Sequence, residues 1–192
     1  MKWISNLTVA SLIVLSGLPV KGYAADLPGL TPETVADYVY AVVESHRAFY
    51  TSHVVELLEE QGIAKASGEW HIEKKTVPLP VQVLNETSQR FSSKFNGLRY
   101  QLISLWPINQ KNSPRDQVDK SSLEGLSVRP ERPISRIITG DAQTYFRAIY
   151  PDIAVSQACV SCHNNHPKSP KRDFQVGDIM GGLVIEFPIS TR

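Results

Sequence analysis

Hydrophobic side chains recur at every third or fourth position between residues 31 and 62, which predicts one long α-helix of about 45 Å. Thr31 suits the N-cap, Pro32 the first turn, and Gly62 the end of such a helix. The stripe predicted to face the core consists of Val35, Tyr38, Val39, Val42, His46, Phe49, His53 and Leu57. The residues expected on the outer face are Glu44, Arg47, Glu59 and Glu60.

The rest of the chain is predicted to form shorter helices and strands. A second helix is predicted over residues 82–95, which Asn96-Gly97 ends, and a short one around residues 115–126. Strands are predicted over residues 98–106, 134–139, 143–149 and 182–188, with a turn at Gly140-Asp141 and a strand end at Tyr150-Pro151. Because helices come first and strands follow, this order predicts an α+β fold with an antiparallel sheet.

The first residues have the features of an export signal. Lys2 precedes an apolar stretch over residues 7–20, and the small residues Gly22 and Ala24 stand where a leader peptidase cuts. We therefore expect a signal peptide over residues 1–24, cleavage after Ala24, a single domain over residues 25–192, and a periplasmic location. The alternative is an uncleaved N-terminal anchor, the one case in which membrane contact is expected.

Composition and charge exclude several classes of protein. The chain has 192 residues, of which 42% are hydrophobic and 20% charged, as in an ordinary globular domain and unlike a disordered or multi-span membrane protein. The net charge is +1, and it becomes about −1 once the signal peptide, with Lys2 and Lys21, is removed. Nucleic acid is therefore not an expected partner.

The chain has two cysteines, Cys159 and Cys162, and His163 follows the second directly. Cys-x-x-Cys-His is the attachment pattern of a c-type haem. The two thiols add to the two vinyl groups of one haem, and the imidazole of the histidine binds the iron on the proximal side. Export agrees with this interpretation, which predicts one covalently bound haem c.

Three alternatives use the same residues. Cys159 and Cys162 could form a local disulfide, as exported thiols often do. A zinc site would need further ligands, and no second cysteine pair exists. A thioredoxin-like redox pair is disfavoured because the motif is expected to follow a strand and a proline turn, whereas low thiol pKa values occur where a helix begins.

The sixth ligand of the iron decides the functional class, because a filled position favours electron transfer and an open one favours gas binding. His53 and then His46 are the first candidates, since both interrupt an apolar stripe. Met180 is a weaker candidate beside glycines that would let a haem approach the backbone. Arg47 and the basic segment 168–172 are candidate partners of the haem propionates, with solvated surface charges as the alternative. The histidines not expected to bind the iron on the distal side are His71 and His166.

Several segments together resemble the periplasmic single-haem, PAS-like domains of bacteria, which occur free-standing or as the sensing part of membrane histidine kinases. The similarity extends over residues 31–188, and the segments that carry it are Tyr50–Val55, Val77–Pro80, Ser104–Asn109, Cys159–His166 and Gly177–Gly182. The resemblance implies a PAS-like sheet flanked by a long N-terminal helix, with one haem c between them, and a low-potential redox or sensory role.

The chain departs from this family at one point. Members of the family can use a cysteine of the first helix as the sixth ligand, and this sequence has no cysteine there. The resemblance therefore directs attention to His46 and His53 on the same helix.

These observations predict a haem protein that turns over no substrate and acts on a periplasmic redox or signalling partner. The first hypothesis is an electron carrier or redox sensor. The second is a gas or redox sensor module that acts through a signalling partner, and the third is a peroxidase-type enzyme. The last is disfavoured because no distal Arg-His pair can be singled out in the sequence.

Overall fold

The computed structural model describes residues 30–95, 97–140 and 143–189. The predicted signal peptide and the predicted turn residue Asp141 lie outside these residues. The helices are α1 (Pro32–Tyr50), α2 (Glu56–Glu60), α3 (Pro80–Lys94), α4 (Gln117–Val128) and α5 (Gln157–Asn165). The strands are β1 (Lys65–Ser67), β2 (Thr76–Pro78), β3 (Arg99–Ile103), β4 (Ile134–Thr139), β5 (Thr144–Ile153) and β6 (Ile179–Ile189). A π-helical segment, Thr51–Val55, joins α1 to α2, and a 3-10 turn covers Gln110–Asn112.

A four-stranded sheet with the order β3-β6-β5-β4 organises the molecule, and all its neighbouring strands are antiparallel. The strands β1 and β2 form a separate, short parallel pair. The predicted α+β class with an antiparallel sheet and a long N-terminal helix is therefore confirmed.

Helices cover both faces of the sheet. The helices α1 and α3 lie on one face, over a core whose members are Ala36, Leu84, Tyr100, Phe146, Ala148, Tyr150, Leu183, Ile185 and Phe187. The helix α4 covers the other face, over Ile103, Leu123, Leu126, Ile149 and Val184. Neighbouring residues of β6 alternate between the two cores, as the period of two in a strand requires.

The first helix begins as predicted, and Val35 and Val39 of the predicted stripe pack towards the sheet, but the rest of the buried face differs from the prediction. The backbone N–H of Thr34 donates to Thr31 Oγ1 over 3.2 Å, which caps the helix. The predicted core residues Tyr38 and Phe49 are 63% and 61% exposed. The residues that pack towards the sheet or are buried are Val35, Ala36, Val39, Tyr40, Val43, Thr51 and Val55. The helix is apolar on more than one side, so periodicity alone could not identify the face that the sheet covers.

Arg47 was expected on the outer face, and that prediction is wrong. Its side chain is 10% exposed and lies 2.6 Å from the carboxylate of Asp152, at the end of β5. The charged residue therefore ties the last turn of α1 to the sheet. Its partner is more than 100 residues away along the chain, so no local pattern could reveal the pair.

Two strands, β5 and β6, extend beyond their predicted ends, whereas β3 is shorter than predicted and β4 has its predicted bounds. Tyr150 and Pro151 do not end β5, because Pro151 pairs with Gly182 of β6 and the strand continues to Ile153 through a shift of register. Gly182 is needed in this pairing, since a Cβ there would lie 2.6 Å from a methyl group of Ile149. The glycines of β6 therefore make room for neighbouring strands, and we had expected them to make room for haem.

Candidate functional site

The helix α5 carries the motif, and it places the three motif side chains on one side. Cys159, Cys162 and His163 stand at spacings of three and four residues, which bring side chains to the same face of a helix. The motif thus begins a helix shortly after β5 ends, although we had expected a turn without a helix. A planar ring laid across this face can meet both thiols and the imidazole.

A third apolar cluster fixes α5 against the end of the sheet. Its buried members are Ala154, Val160, Phe174 and Met180, with Trp106 and Cys159 packed against them. The side chain of Asn164 also joins α5 to the segment around Phe174, because its Nδ2 donates to the Phe174 carbonyl over 2.9 Å. Its Oδ1 accepts the Phe174 backbone N–H over 3.0 Å. Both backbone groups of Phe174 are thereby satisfied.

The basic segment 168–172, which follows α5, also holds this helix in place. The guanidinium of Arg172 donates to the carbonyls of Asn164 and Pro167, over 3.2 and 2.9 Å. Lys171 Nζ lies 4.9 Å from the ring centroid of Phe174, a distance at which a cation is attracted to an aromatic face. These two cations of the segment therefore have structural partners next to the motif.

His163 is held as a neutral imidazole. Burial lowers its pKa to about 4, and the charge of Arg47 and the neighbouring His166 act in the same direction. The ring meets Phe174 edge to face, with centroids 6.0 Å apart. Its Nδ1 is buried and has no hydrogen-bond partner among the described residues. A neutral imidazole is the form that binds a metal ion.

The thiols are unpaired in the described structure, and that of Cys162 is not activated. Cys159 is partly buried, whereas Cys162 is exposed. Desolvation raises the pKa of the Cys162 thiol, and the negative charge of Glu59 adds to the effect. The expectation that no helix begins at the motif was wrong. The redox-thiol alternative is still disfavoured, because a reactive cysteine needs a lowered pKa.

The π-helical segment packs directly against α5. Such segments are rare and occur often at functional sites. The Thr51 hydroxyl donates to the Arg47 carbonyl over 2.8 Å, the kind of side-chain bond that distorts a helix. His53 lies within this segment, is exposed, and stacks on Phe49 with ring centroids 4.8 Å apart. The segment and α5 therefore form the two sides of the candidate site.

The other two candidates for the sixth ligand lie elsewhere. His46 is exposed on α1, seven residues before His53, which is about 10 Å along a helix. Met180 is 4% exposed and belongs to the apolar cluster beneath α5. Of the three candidates, His53 is therefore the one on the segment that packs against α5.

Sequence reasoning missed the ion pair of Arg47 and Asp152 as a part of this site. Arg47 is close enough to act on the pKa of His163, and its Nε is buried without a hydrogen-bond partner among the described residues. Burial raises the pKa of Asp152, which the charge of Arg47 opposes. The signal available in the sequence was a charged residue between the apolar positions of α1.

Two further searches concern the described residues alone. Within residues 30–95, 97–140 and 143–189, no cluster of three or more His, Cys, Asp or Glu side chains is arranged to hold a metal ion. No helix within the same ranges has the length and the apolar character to cross a membrane.

Comparison with known proteins gives two matches. The model of the Tll0287-like family matches residues 31–188. The crystal structure of the cyanobacterial heme-protein Tll0287 superimposes with a TM-score of 0.52 at 15% identity, over 84% of this chain and 99% of the other. At this identity the superposition shows a shared fold. No curated protein shows significant similarity. Since the family model extends over most of its length, the chain belongs to the Tll0287-like family.

Proposed function

We propose that the chain is an exported, PAS-like protein that binds one haem c and serves in one-electron transfer or redox sensing. Cys159 and Cys162 would hold the haem by thioether bonds, and His163 would be the proximal ligand. The observation that carries the proposal is the common face of α5, on which two unpaired thiols stand beside a neutral imidazole. The haem supplies the redox couple.

The surroundings of α5 fit a large apolar ring. Phe49 at the end of α1 and Leu57 in α2 flank the π-helical segment that packs against α5, and they are 61% and 45% exposed. Exposed apolar side chains that lie together commonly mark a binding surface. A haem held by α5 would shield such side chains from water. The protein of the crystal structure that shares this fold is a heme-protein, which agrees with this cofactor.

We propose His53 as the distal ligand, ahead of His46 and Met180. His53 is carried by the π-helical segment that contacts α5, and its ring is accessible. Met180 is buried in the apolar cluster against which Cys159 packs, and it would have to leave that cluster to bind the iron. An accessible histidine that stacks on one aromatic ring can also move aside. That feature supports the second candidate function, a haem-based gas sensor.

The remaining predictions belong to the same proposal. The chain would be exported through residues 1–24 to the periplasm, cleaved after Ala24, and folded as one domain over residues 25–192. It would turn over no substrate and would exchange electrons or signals with a periplasmic partner protein.

The test is the visible spectrum of the protein made in the periplasm of a host that attaches haem c. We expect haem that remains bound through acid-acetone extraction, and a six-coordinate low-spin spectrum. The matched control is Cys159→Ser with Cys162→Ser, which must lose the covalent haem. If the native chain also loses its haem to acid-acetone, the proposal is wrong.

Carbon monoxide separates the two candidate functions. A low-spin spectrum that the gas does not change supports the electron carrier. Rapid binding of the gas to the reduced protein supports the sensor, because the sixth position is then open or easily displaced.

A further inference from the structure

A polar cleft lies along the outer edge of the sheet, on the side of β3. Its volume is about 620 Å³, and α3, β3 and the segment after β3 line it. Such a volume suits a small molecule. The cleft is separate from the α5 site, because Glu186 at its floor stands seven residues along β6 from Ile179, about 20 Å in a strand.

The charges of the cleft do not balance. Arg99, Lys111 and Arg115 line it, and the one acidic residue of its lining is Glu186, so the lining has a net charge of +2. Glu186 is 5% exposed, which places its carboxylate at the base of the cleft. Arg99 and Arg115 are half-exposed above it. Both guanidiniums therefore keep N–H groups available on the open side.

A buried ion network below the cleft is already crowded with positive charge. Arg147 lies between Asp119 and Glu186, at 2.8 and 3.6 Å from their carboxylate oxygens. Arg115 approaches the same two carboxylates, at 3.6 and 3.4 Å. Two carboxylates thus serve three guanidiniums, including that of Arg99. Burial and the charge of Arg115 both lower the pKa of Arg147, and the charges of Asp119, Glu186 and Asp116 act in the opposite direction.

Neutral donors complete the lining. The polar side chains that face the cleft from α3 and β3 are Asn85, Gln89, Ser92, Ser93 and Gln101. Amides and hydroxyls of this kind bind carboxylate and phosphate oxygens without adding charge. Lys111 forms no ion pair with the described residues and is exposed at the rim.

We propose that this cleft binds a small dianion, an organic dicarboxylate or a phosphate group, through Arg99, Lys111 and Arg115. The dianion would supply the negative charge that the lining lacks, and charge-assisted hydrogen bonds would hold it. An added peptide strand fits less well. The outward N–H of Tyr100 in β3 already donates to Ser88 Oγ over 2.9 Å, so this edge is partly closed.

The test is calorimetric titration of the whole protein with succinate and with inorganic phosphate. Acetate and sodium chloride at equal ionic strength serve as controls, since exposed charges are screened by salt. We expect saturable binding of at least one dianion and none of acetate. Succinate binding alone identifies an organic dicarboxylate, and phosphate binding alone a phosphate group. If neither dianion binds more tightly than acetate, the proposal is wrong.

Matched variants locate the site. Lys111→Gln is expected to weaken dianion binding roughly tenfold, because one charge-assisted contact is lost. Lys120→Gln makes the same change of charge on the exposed surface of α4 and should leave binding unchanged. Arg115→Gln is likewise expected to weaken dianion binding, and Arg136→Gln on β4 is its matched control. Equal losses in Lys111→Gln and Lys120→Gln would show nonspecific charge attraction and overturn the proposal. The native haem content is measured in each variant and should not change.

Discussion

At the scale of single residues, the environment of His163 determines what the motif can do. The imidazole is neutral because burial and the charge of Arg47 both oppose its protonation. Sequence spacing predicted that His163 is an iron ligand, but it gave no information on the surroundings of the imidazole. The neutralising environment comes from α1 and from Phe174, and it exists only after α5 has packed against them.

The neutral imidazole predicts a pH dependence in protein that has no haem. The pKa of His163 is about 4 in the folded chain and about 6.5 in an unfolded one. Because the unfolded state binds the proton more tightly, stability falls as the pH falls from 6.5 towards 4, by about 3 kcal/mol. Urea unfolding of the double variant Cys159→Ser, Cys162→Ser as a function of pH measures this loss of stability. In this double variant, the further change His163→Gln should remove the part of the stability loss that His163 causes. An unchanged pH profile of stability would contradict the assignment of this loss to His163.

The distal ligand is tested by single substitutions in the haem-loaded protein. We expect His53→Ala to convert a low-spin ferric spectrum into a high-spin one and to open the iron to carbon monoxide. His71→Ala is the matched control and should change neither property. A change in His46→Ala, with none in His53→Ala, would assign the ligand to His46. If neither changes the spectrum, Met180→Leu is the remaining test among our three candidates.

The ion pair of Arg47 and Asp152 should be important for stability. Asp152→Asn leaves the guanidinium beside the sheet without its countercharge, at a cost of about 3 kcal/mol in the free energy of unfolding. Glu86→Gln breaks the exposed pair with Arg90 on α3 and should cost about 0.5 kcal/mol or less. Denaturant titration compares the two variants. Equal losses would show that the buried position of the first pair has no effect.

At the scale of elements, the starts of α1, α3 and α4 and the positions of β3 to β6 were predictable to within a few residues, whereas α5 and the buried faces were not. Thr31 and Pro32 marked the start of α1, and β4 was predicted to its boundaries. The periodicity of α1 placed Val35 and Val39 correctly but Tyr38 and Phe49 wrongly, because the helix is apolar on two sides. The π-helical segment left no signal, since it depends on Thr51 bonding to Arg47 and on packing against α5.

The hydrogen bonds between Asn164 of α5 and the backbone of Phe174 give a prediction for this helix. Asn164→Ala removes two hydrogen bonds to the Phe174 backbone. We expect a loss of about 1–3 kcal/mol in unfolding free energy, because buried backbone groups lose their partners. Asn165→Ala changes an exposed neighbour at the end of α5 and is the control. Thermal unfolding that does not distinguish them would mean that the apolar cluster alone holds α5.

At the scale of the whole molecule, one sheet supports two separate regions. The end of β6 near Met180 lies beneath α5, and Glu186 on the same strand lies at the floor of the polar cleft. A central strand that is buried on both faces can fix both regions rigidly. The haem proposal and the dianion proposal can therefore be tested independently.

Export should decide whether the protein acquires its proposed haem. Deleting residues 1–24 is expected to give a cytoplasmic, colourless chain in a host that attaches haem c outside the cytoplasm. Mass spectrometry of the full-length product should show a mature chain that begins at Ala25 and carries one haem. Covalent haem on the deleted form would contradict the export requirement.

The sequence by itself determined the α+β class, the positions of most helices and strands, and the motif Cys159-x-x-Cys162-His163. These depend on neighbours within a few residues, whose spacing and chemistry a sequence displays directly. Only the tertiary structure decided which face of α1 is buried, that Arg47 pairs with Asp152, and that the segment with His53 meets α5. Such contacts join residues far apart in the chain, and their burial and electrostatics arise only when the sheet brings them together.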